Sequence, residues 1–271
     1  TSTVSTYGGL GHYPQRLVPT PSQPNAVPRF AHDDIIEPVS EQMRDPLNDS
    51  WVYRRNLSPY GEGKRHMERV MCESPDDWPW VVVRAPVVLG EHDHTGRFAW
   101  WLARIMDGGP ILMPDGGQHQ VQFGYVRDLS RFLVNALSTP QIERNFYNYA
   151  QRETVRFAEF LNRVASAIGT TLATVDVPFN VLGQQGNLPW HDYSFAPFIG
   201  PDIVMMSESK SLQEIGMNQT PLNEWIKSTV DWFTGNPDVI RKGKKFETRS
   251  FEISFARTWS KTLNSLNSPL I

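Results

Sequence analysis

The chain has 271 residues, 39% of them hydrophobic and 20% charged, with a net charge of −3 and a single cysteine, Cys72. That length holds one large domain or two small ones, and that balance of apolar and charged residues suits a soluble globular protein. It excludes an internal disulfide framework, gives no global pull toward nucleic acid or an anionic membrane, and contains no apolar run long enough to span a bilayer.

The sequence opens at Thr1, not at a methionine, on Thr1-Ser2-Thr3-Val4-Ser5-Thr6-Tyr7. This run is rich in β-branched residues and predicts a short buried strand that ends at Gly8 and Gly9. A fragment or a processed chain is expected from such a start. With one cysteine and no signal-peptide pattern, the expected location is a reducing one, cytoplasmic or an organellar matrix. Residues 10 to about 40 carry Pro14, Pro19, Pro21, Pro24, Pro28 and Pro38 with little periodicity. They predict a long loop, either a lid over an otherwise organised site or a disordered stretch.

Ser58-Pro59-Tyr60-Gly61-Glu62-Gly63-Lys64 opens a helix that runs to about Glu73. Tyr60 and Lys64 are four apart, so they share one helix face, one turn above the other. An ammonium beside a tyrosine favours its phenolate, so such a pair can move a proton in an alcohol–ketone interconversion. Any surface helix can also place Tyr and Lys at this spacing.

Trp80-Val81-Val82-Val83-Arg84-Ala85-Pro86 is a nearly continuous apolar run, as in a parallel strand buried on both faces. Val87-Val88-Leu89-Gly90 reads as a turn beyond its carboxyl end, the side where open α/β sheets bind ligands. Phe98–Met106 predicts a helix stopped by Asp107-Gly108-Gly109. Ile111–Met113 and Val121–Val126 predict short strands around Pro114-Asp115-Gly116-Gly117. Next come a helix over Arg127–Leu137, a strand over Asn145–Ala150, and a helix over Phe157–Ile168 capped by Thr154 and ended by Gly169. A strand over Thr171–Val177, a loop over 183–203 and helices over Ser207–Gly216 and Pro221–Phe233 follow. The basic cluster Arg241, Lys242, Lys244 and Lys245 reads as a solvated run, before a last helix over Ile253–Leu266. Strands alternating with helices give the fold class α/β with a parallel sheet.

Four pieces in order resemble the extended short-chain dehydrogenase/reductases, the NAD-dependent epimerase/dehydratase family. They are Ser2-Thr3-Val4-Ser5-Thr6-Tyr7-Gly8, Ser58–Lys64, Val83-Arg84-Ala85-Pro86-Val87-Val88-Leu89-Gly90, and Phe123-Gly124-Tyr125-Val126-Arg127-Asp128-Leu129. The resemblance runs from Thr1 to about Phe233. It implies the C-terminal part of a Rossmann-like parallel sheet with a smaller α+β substrate lobe. Residues 1–90 and 119–150 would form the partial dinucleotide-binding domain, 91–118 and 151–235 the lobe, and 236–271 a C-terminal extension.

The resemblance also implies roles. Thr3 would hydrogen-bond the substrate oxygen, Tyr60 would transfer the proton, and Lys64 would favour the phenolate and bond the nicotinamide ribose. Pro86, Val87 and Val88 would lie near the nicotinamide carboxamide. Trp100, Trp101, Gln122, Tyr125 and Trp190 are candidates to line the substrate pocket, although each taken singly reads more readily as core packing. The cofactor would be NAD or NADP. Its main cradle, a glycine-rich turn after a first strand, is not in this chain. Gly8-Gly9-Leu10-Gly11 follows the wrong strand, and Gly61-Glu62-Gly63-Lys64-Arg65 lacks the leading glycine and the hydroxyl residue of a phosphate loop.

Half of such a sheet leaves an open edge. The N-terminal half is therefore an expected partner, from the same chain or a second polypeptide, alongside a small-molecule substrate and a possible homodimer or larger assembly. Val121 and Gln122 replace the Arg-Asp that many sugar-nucleotide members carry, which argues against a typical UDP- or dTDP-sugar substrate. Glu91-His92-Asp93-His94 reads as a polar loop, not a metal site. Cys72 reads as a small buried hydrophobe and His66 as a surface residue. The function expected is an NAD(P)-dependent oxidoreductase, epimerase or dehydratase acting on a hydroxyl or keto carbon of a small or sugar-like substrate. The alternative is a non-catalytic family member serving as a structural or RNA-associated subunit.

Overall fold

The computed structural model describes residues 2–3, 17–18, 29–30, 40–41, 59–188, 197, 205–241 and 247–267. The elements run β1 (Ser2–Thr3), β2 (Leu17–Val18), β3 (Arg29–Phe30), α1 (Pro59–Cys72), β4 (Val81–Ala85), β5 (Val87–Leu89), α2 (Arg97–Met106), β6 (Ile111–Pro114), β7 (Gln120–Val121), β8 (Phe123–Tyr125), α3 (Val126–Ser138) and β9 (Asn145–Asn148). They continue with β10 (Val155–Arg156), α4 (Phe157–Ile168), β11 (Thr174–Val177), α5 (Phe179–Leu182), α6 (Ser209–Glu214), α7 (Leu222–Gly235), α8 (Pro237–Arg241) and α9 (Arg249–Asn267).

Strands β1, β4 and β9 form a parallel sheet in the order β1-β4-β9, with Thr3 opposite Ala85 and Val83 opposite Tyr147. Its two faces are covered differently. Val83 and Ala85 pack with Phe132 and Ala136 of α3 and with Tyr147 and Tyr149. Val82 and Arg84 point to the other face, toward α1. This is the α/β arrangement expected of the sequence, with helices on both faces of a parallel sheet.

Helix α1 is unusual in what it buries. Gly61, Arg65 and Glu68 face inward while Tyr60, Met67 and Val70 are exposed. Arg84 makes this tolerable: its Nε and Nη2 donate to the two carboxylate oxygens of Glu68 at 3.0 and 2.8 Å. Arg144 gathers the carbonyls at the other end of the helix, with Nη1 2.7 Å from Pro75 O and Nη2 3.1 Å from Ser74 O. Cys72, in the last turn, is half-buried and not buried outright.

The expected turn at Val87–Gly90 is a strand. Pro86 has no N–H to continue the ladder, so the chain leaves the main sheet and restarts as β5, parallel to β8. The strand expected over Val121–Val126 breaks at Gln122 for a related reason. Val121 pairs antiparallel with Val155 of β10, whereas Phe123 pairs parallel with Val87. Helix α4 has the predicted bounds and ends at Gly169 (φ 85°), but its N-cap is Arg156 with no side-chain cap, so Thr154 does not cap it.

The rest of the chain builds a second core. Helix α2 is buried from Phe98 to Ile105, the charged Arg104 included. It packs with α4, α7 and the parallel pair β6–β11. Helix α9 begins four residues before the expected Ile253 and is tied to α2 by Arg104, which donates to Glu252 at 2.7 and 2.5 Å. The proline-rich insert contributes the antiparallel pair β2–β3, and β3 lies beside α5. The rest of that insert, Trp190 and the cluster Lys242, Lys244 and Lys245 lie outside the described residues. No described helix is long and apolar enough to cross a membrane.

Candidate functional site

Helix α1 meets Arg84, near the carboxyl end of β4, through Glu68, and its far end meets Arg144, just before β9, so it runs antiparallel to these strands. Its first turn therefore stands at the carboxyl ends of the parallel strands, the end at which open α/β sheets take ligands. Tyr60 stands in that first turn and Lys64 one turn further on. Lys64 Nζ lies 5.7 Å from the centre of the Tyr60 ring, so the two share the face that their spacing predicts. Thr3 closes β1 opposite Ala85, immediately before Pro86. Val87 and Val88, both half-buried, continue beyond it.

Among the described tyrosines, Tyr60 differs from the rest. It is 59% exposed, whereas Tyr125, Tyr147 and Tyr149 are buried. The buried phenols all serve as hydrogen-bond donors within the fold. Tyr125 donates to Glu91 Oε1 at 3.0 Å, Tyr147 to Glu214 Oε2 at 2.5 Å and Tyr149 to Tyr125 O at 2.9 Å. Burial pushes each of them further from ionisation, with Glu214 adding to the effect at Tyr147 and Asp128 at Tyr149. Their protons are committed to the fold.

The residues expected to line a substrate pocket are also engaged. Trp101 is fully buried, packs edge-on against Trp100 and Phe157, and donates from its indole N–H to Pro197 O at 2.7 Å. Trp100 lies under the Arg104 guanidinium, 3.2 Å from the ring centre. Tyr125 stacks on Trp225 at 5.6 Å. Gln122 uses its whole amide: Nε2 donates to Met206 O and Gln151 O, and Oε1 accepts from Met206 N at 2.8 Å. The run Glu91–His94 also has its uses in the fold. Glu91 receives Tyr125, Ser228 (2.6 Å) and Arg127 (2.9 Å), His92 packs on Trp232, and Asp93 binds Thr95. His66 is exposed, as expected.

A cleft of about 370 Å³ lies elsewhere, on the α3 side of the sheet, between α3 and residues 216–219. Neither Tyr60 nor Lys64 lines it.

The sequence reading passed over the Arg84–Glu68 pair. A signal was present: Arg84 is the lone charge in an apolar strand, and Glu68 lies one helical turn beyond Lys64. A buried arginine needs an acidic partner, and Glu68 sits on the helix that packs over that strand.

Residues 33–150 match the sequence model of the NAD dependent epimerase/dehydratase family. The chain is 27% identical over 151 residues to the chloroplast stem-loop binding protein of 41 kDa b of Arabidopsis thaliana, covering 49% of this chain and 39% of that protein. Its fold is similar to that of UDP-glucuronic acid 4-epimerase from Bacillus cereus in complex with NAD, with a TM-score of 0.53 at 18% identity over 76% of this chain and 58% of the other. It is similar also to dTDP-glucose 4,6-dehydratase from Bacillus anthracis in complex with NAD, with a TM-score of 0.56 at 14% identity over 88% of this chain and 61% of the other. The chain thus spans less than two thirds of the length of each of these proteins. Over residues 33–150, less than half of the chain, the sequence is thus similar to the NAD dependent epimerase/dehydratase family, and the fold around that segment is similar to that of the two solved structures.

Proposed function

We propose that the chain is the substrate-side part of an NAD(P)-dependent epimerase, dehydratase or reductase acting on a hydroxyl or keto carbon. Tyr60 moves the hydroxyl proton, Lys64 favours the phenolate and holds the nicotinamide ribose, and Thr3 bonds the substrate oxygen. The nicotinamide, when bound, supplies or takes the hydride at that carbon. Pro86, Val87 and Val88 form the wall beside it.

One observation carries this reading: Tyr60 is the exposed tyrosine among those described, and Lys64 stands over its ring at the carboxyl ends of the sheet. The solved structures of similar fold named above hold NAD, which supports a dinucleotide for this chain as well. The domain division is proposed along the same lines: 1–90 with 119–150 on the dinucleotide side, 91–118 with 151–235 on the substrate side. The glycine-rich cradle would come from an N-terminal half, in the same or a second polypeptide, pairing along the outer edge of β1. Val121 is buried and the Gln122 amide is taken by the backbone. These positions are therefore ill-suited to grip a nucleotide diphosphate, and a small or sugar-like substrate fits better. Isothermal titration of the full-length protein with NADH and NADPH tests the reading. Binding that Lys64→Met weakens supports it, and no binding of either dinucleotide sinks it.

A second reading has one observation in its favour, the name of the Arabidopsis relative, a stem-loop binding protein. In this reading the chain is a structural or RNA-associated subunit, in an organelle like its relative. Stem-loop RNA retained by a Tyr60→Phe, Lys64→Met variant, together with no dinucleotide binding by the parent, would favour it.

A further inference from the structure

We propose that Arg84 is a positioning residue for the Tyr60–Lys64 pair and acts on it through Glu68. The inference rests on the function proposed above. Residues 60, 64 and 68 follow one another at single-turn intervals along α1, so Glu68 belongs to the same helical row as the pair. Arg84 meets both oxygens of Glu68, at 3.0 and 2.8 Å. A two-pronged contact between planar groups fixes rotation as well as height, which a single hydrogen bond does not. The guanidinium is itself held: it lies 4.7 Å from the centre of the Phe146 ring, and its Nη1 is 3.4 Å from Glu41 O.

The position of Arg84 gives the contact its reach. On β4 it is opposite Ser2 of β1 and Asn148 of β9. The next residue, Ala85, is opposite Thr3, and Pro86 follows. The fork therefore ties the helix bearing Tyr60 and Lys64 to the strand whose end meets Thr3 and the proposed nicotinamide wall. Arg144 holds the last turn of α1, so the fork at Glu68 sets the first turns. Both partners of the fork are buried, Arg84 at 0% and Glu68 at 2% exposure. Well-packed apolar residues often serve stability as well as a buried ion pair does, so stability alone gives no reason to keep one here. A fixed helix register does.

The test is a double-mutant cycle in the full-length protein, using NADH or NADPH, whichever binds more tightly, as the probe. Affinity is read by nicotinamide fluorescence, and stability by urea denaturation of the same samples. Arg84→Lys keeps the charge and loses the fork. It is expected to weaken binding about tenfold, and to change it by less than about twofold once Lys64→Met is present. The denaturation midpoints of the two substitutions are expected to shift additively. A purely structural role predicts either unchanged affinity in Arg84→Lys or full multiplication with Lys64→Met, and either result overturns the inference alone. Unchanged affinity in Lys64→Met itself overturns the inference together with the proposed site. If Arg84→Lys does not fold, Glu68→Gln enters the same cycle under the same criteria.

Discussion

Arg104 and Glu252, 148 positions apart in sequence, meet in a buried fork at 2.7 and 2.5 Å. The contact fastens α9 to the most deeply buried helix of the second core. It is reinforced by Arg249, which donates to Asp107 at 2.7 and 2.6 Å and to Pro110 O at 2.8 Å. Burial works against the Arg104 charge and pulls its pKa below the ordinary value despite the Glu252 carboxylate, so loss of that carboxylate strands a desolvated cation. Glu252→Ala is therefore expected to cost ~3–5 kcal/mol, and the double variant Arg104→Met, Glu252→Leu to recover much of the loss. Urea denaturation checks both. A double variant no more stable than Glu252→Ala would contradict the account.

Tyr60→Phe is expected to lower turnover by ~10²–10⁴-fold. The unfolding free energy should stay within about 0.5 kcal/mol of the parent's, because the side chain is mostly exposed. Tyr149→Phe is the contrast. It removes a buried hydrogen bond to Tyr125 O, so stability falls by ~1 kcal/mol while the proton-transfer step is untouched. Comparable turnover in the two variants would remove Tyr60 from its proposed role.

Glu91 sets an acid limit. Burial alone would raise its pKa, but hydrogen bonds from Ser228, its own backbone and Tyr125, with the charge of Arg127, bring it below the ordinary 4.5. A carboxylate depressed on folding contributes stability that is complete above its unfolded pKa and lost as pH falls through the folded one. The parent is therefore expected to lose stability progressively below about pH 4.5. Glu91→Gln should be less stable at neutral pH and lose less on acidification. Midpoints measured at intervals from neutral to acid pH decide this, and parallel curves for the two proteins would argue against it.

Two glycines separate strain from crowding. Gly117 has φ 65°, and a Cβ there would stand 2.8 Å from Met113 Sδ and 2.9 Å from the Ala158 backbone nitrogen. Gly169 has φ 85° with open space around it. Gly169→Ala is expected to cost ~1 kcal/mol from backbone strain, and Gly117→Ala ~2–4 kcal/mol from strain and overpacking together. Equal thermal shifts would show that the Gly117 site relaxes freely.

Local pattern determined a good deal of this protein. The apolar run before Pro86 is a parallel strand, the spacing of Phe157–Ile168 is a helix of those bounds, and short motifs in order carry a resemblance to the family whose sequence model matches residues 33–150. The Tyr60–Lys64 face is legible because a helix puts residues four apart on one side wherever it sits. Tertiary structure decided what depends on partners distant in sequence. Val87–Leu89 is a strand only because β8 arrives to pair with it, and Gln122 is a tie only because Met206 comes within reach. Trp101 and Tyr125 could have been pocket walls on composition alone, and their burial came from α4 and α7 closing over them. The same holds for Arg84 and Glu68. A charge in an apolar strand announces that a counter-charge is needed, but only the packing of α1 on β4 chooses which carboxylate supplies it.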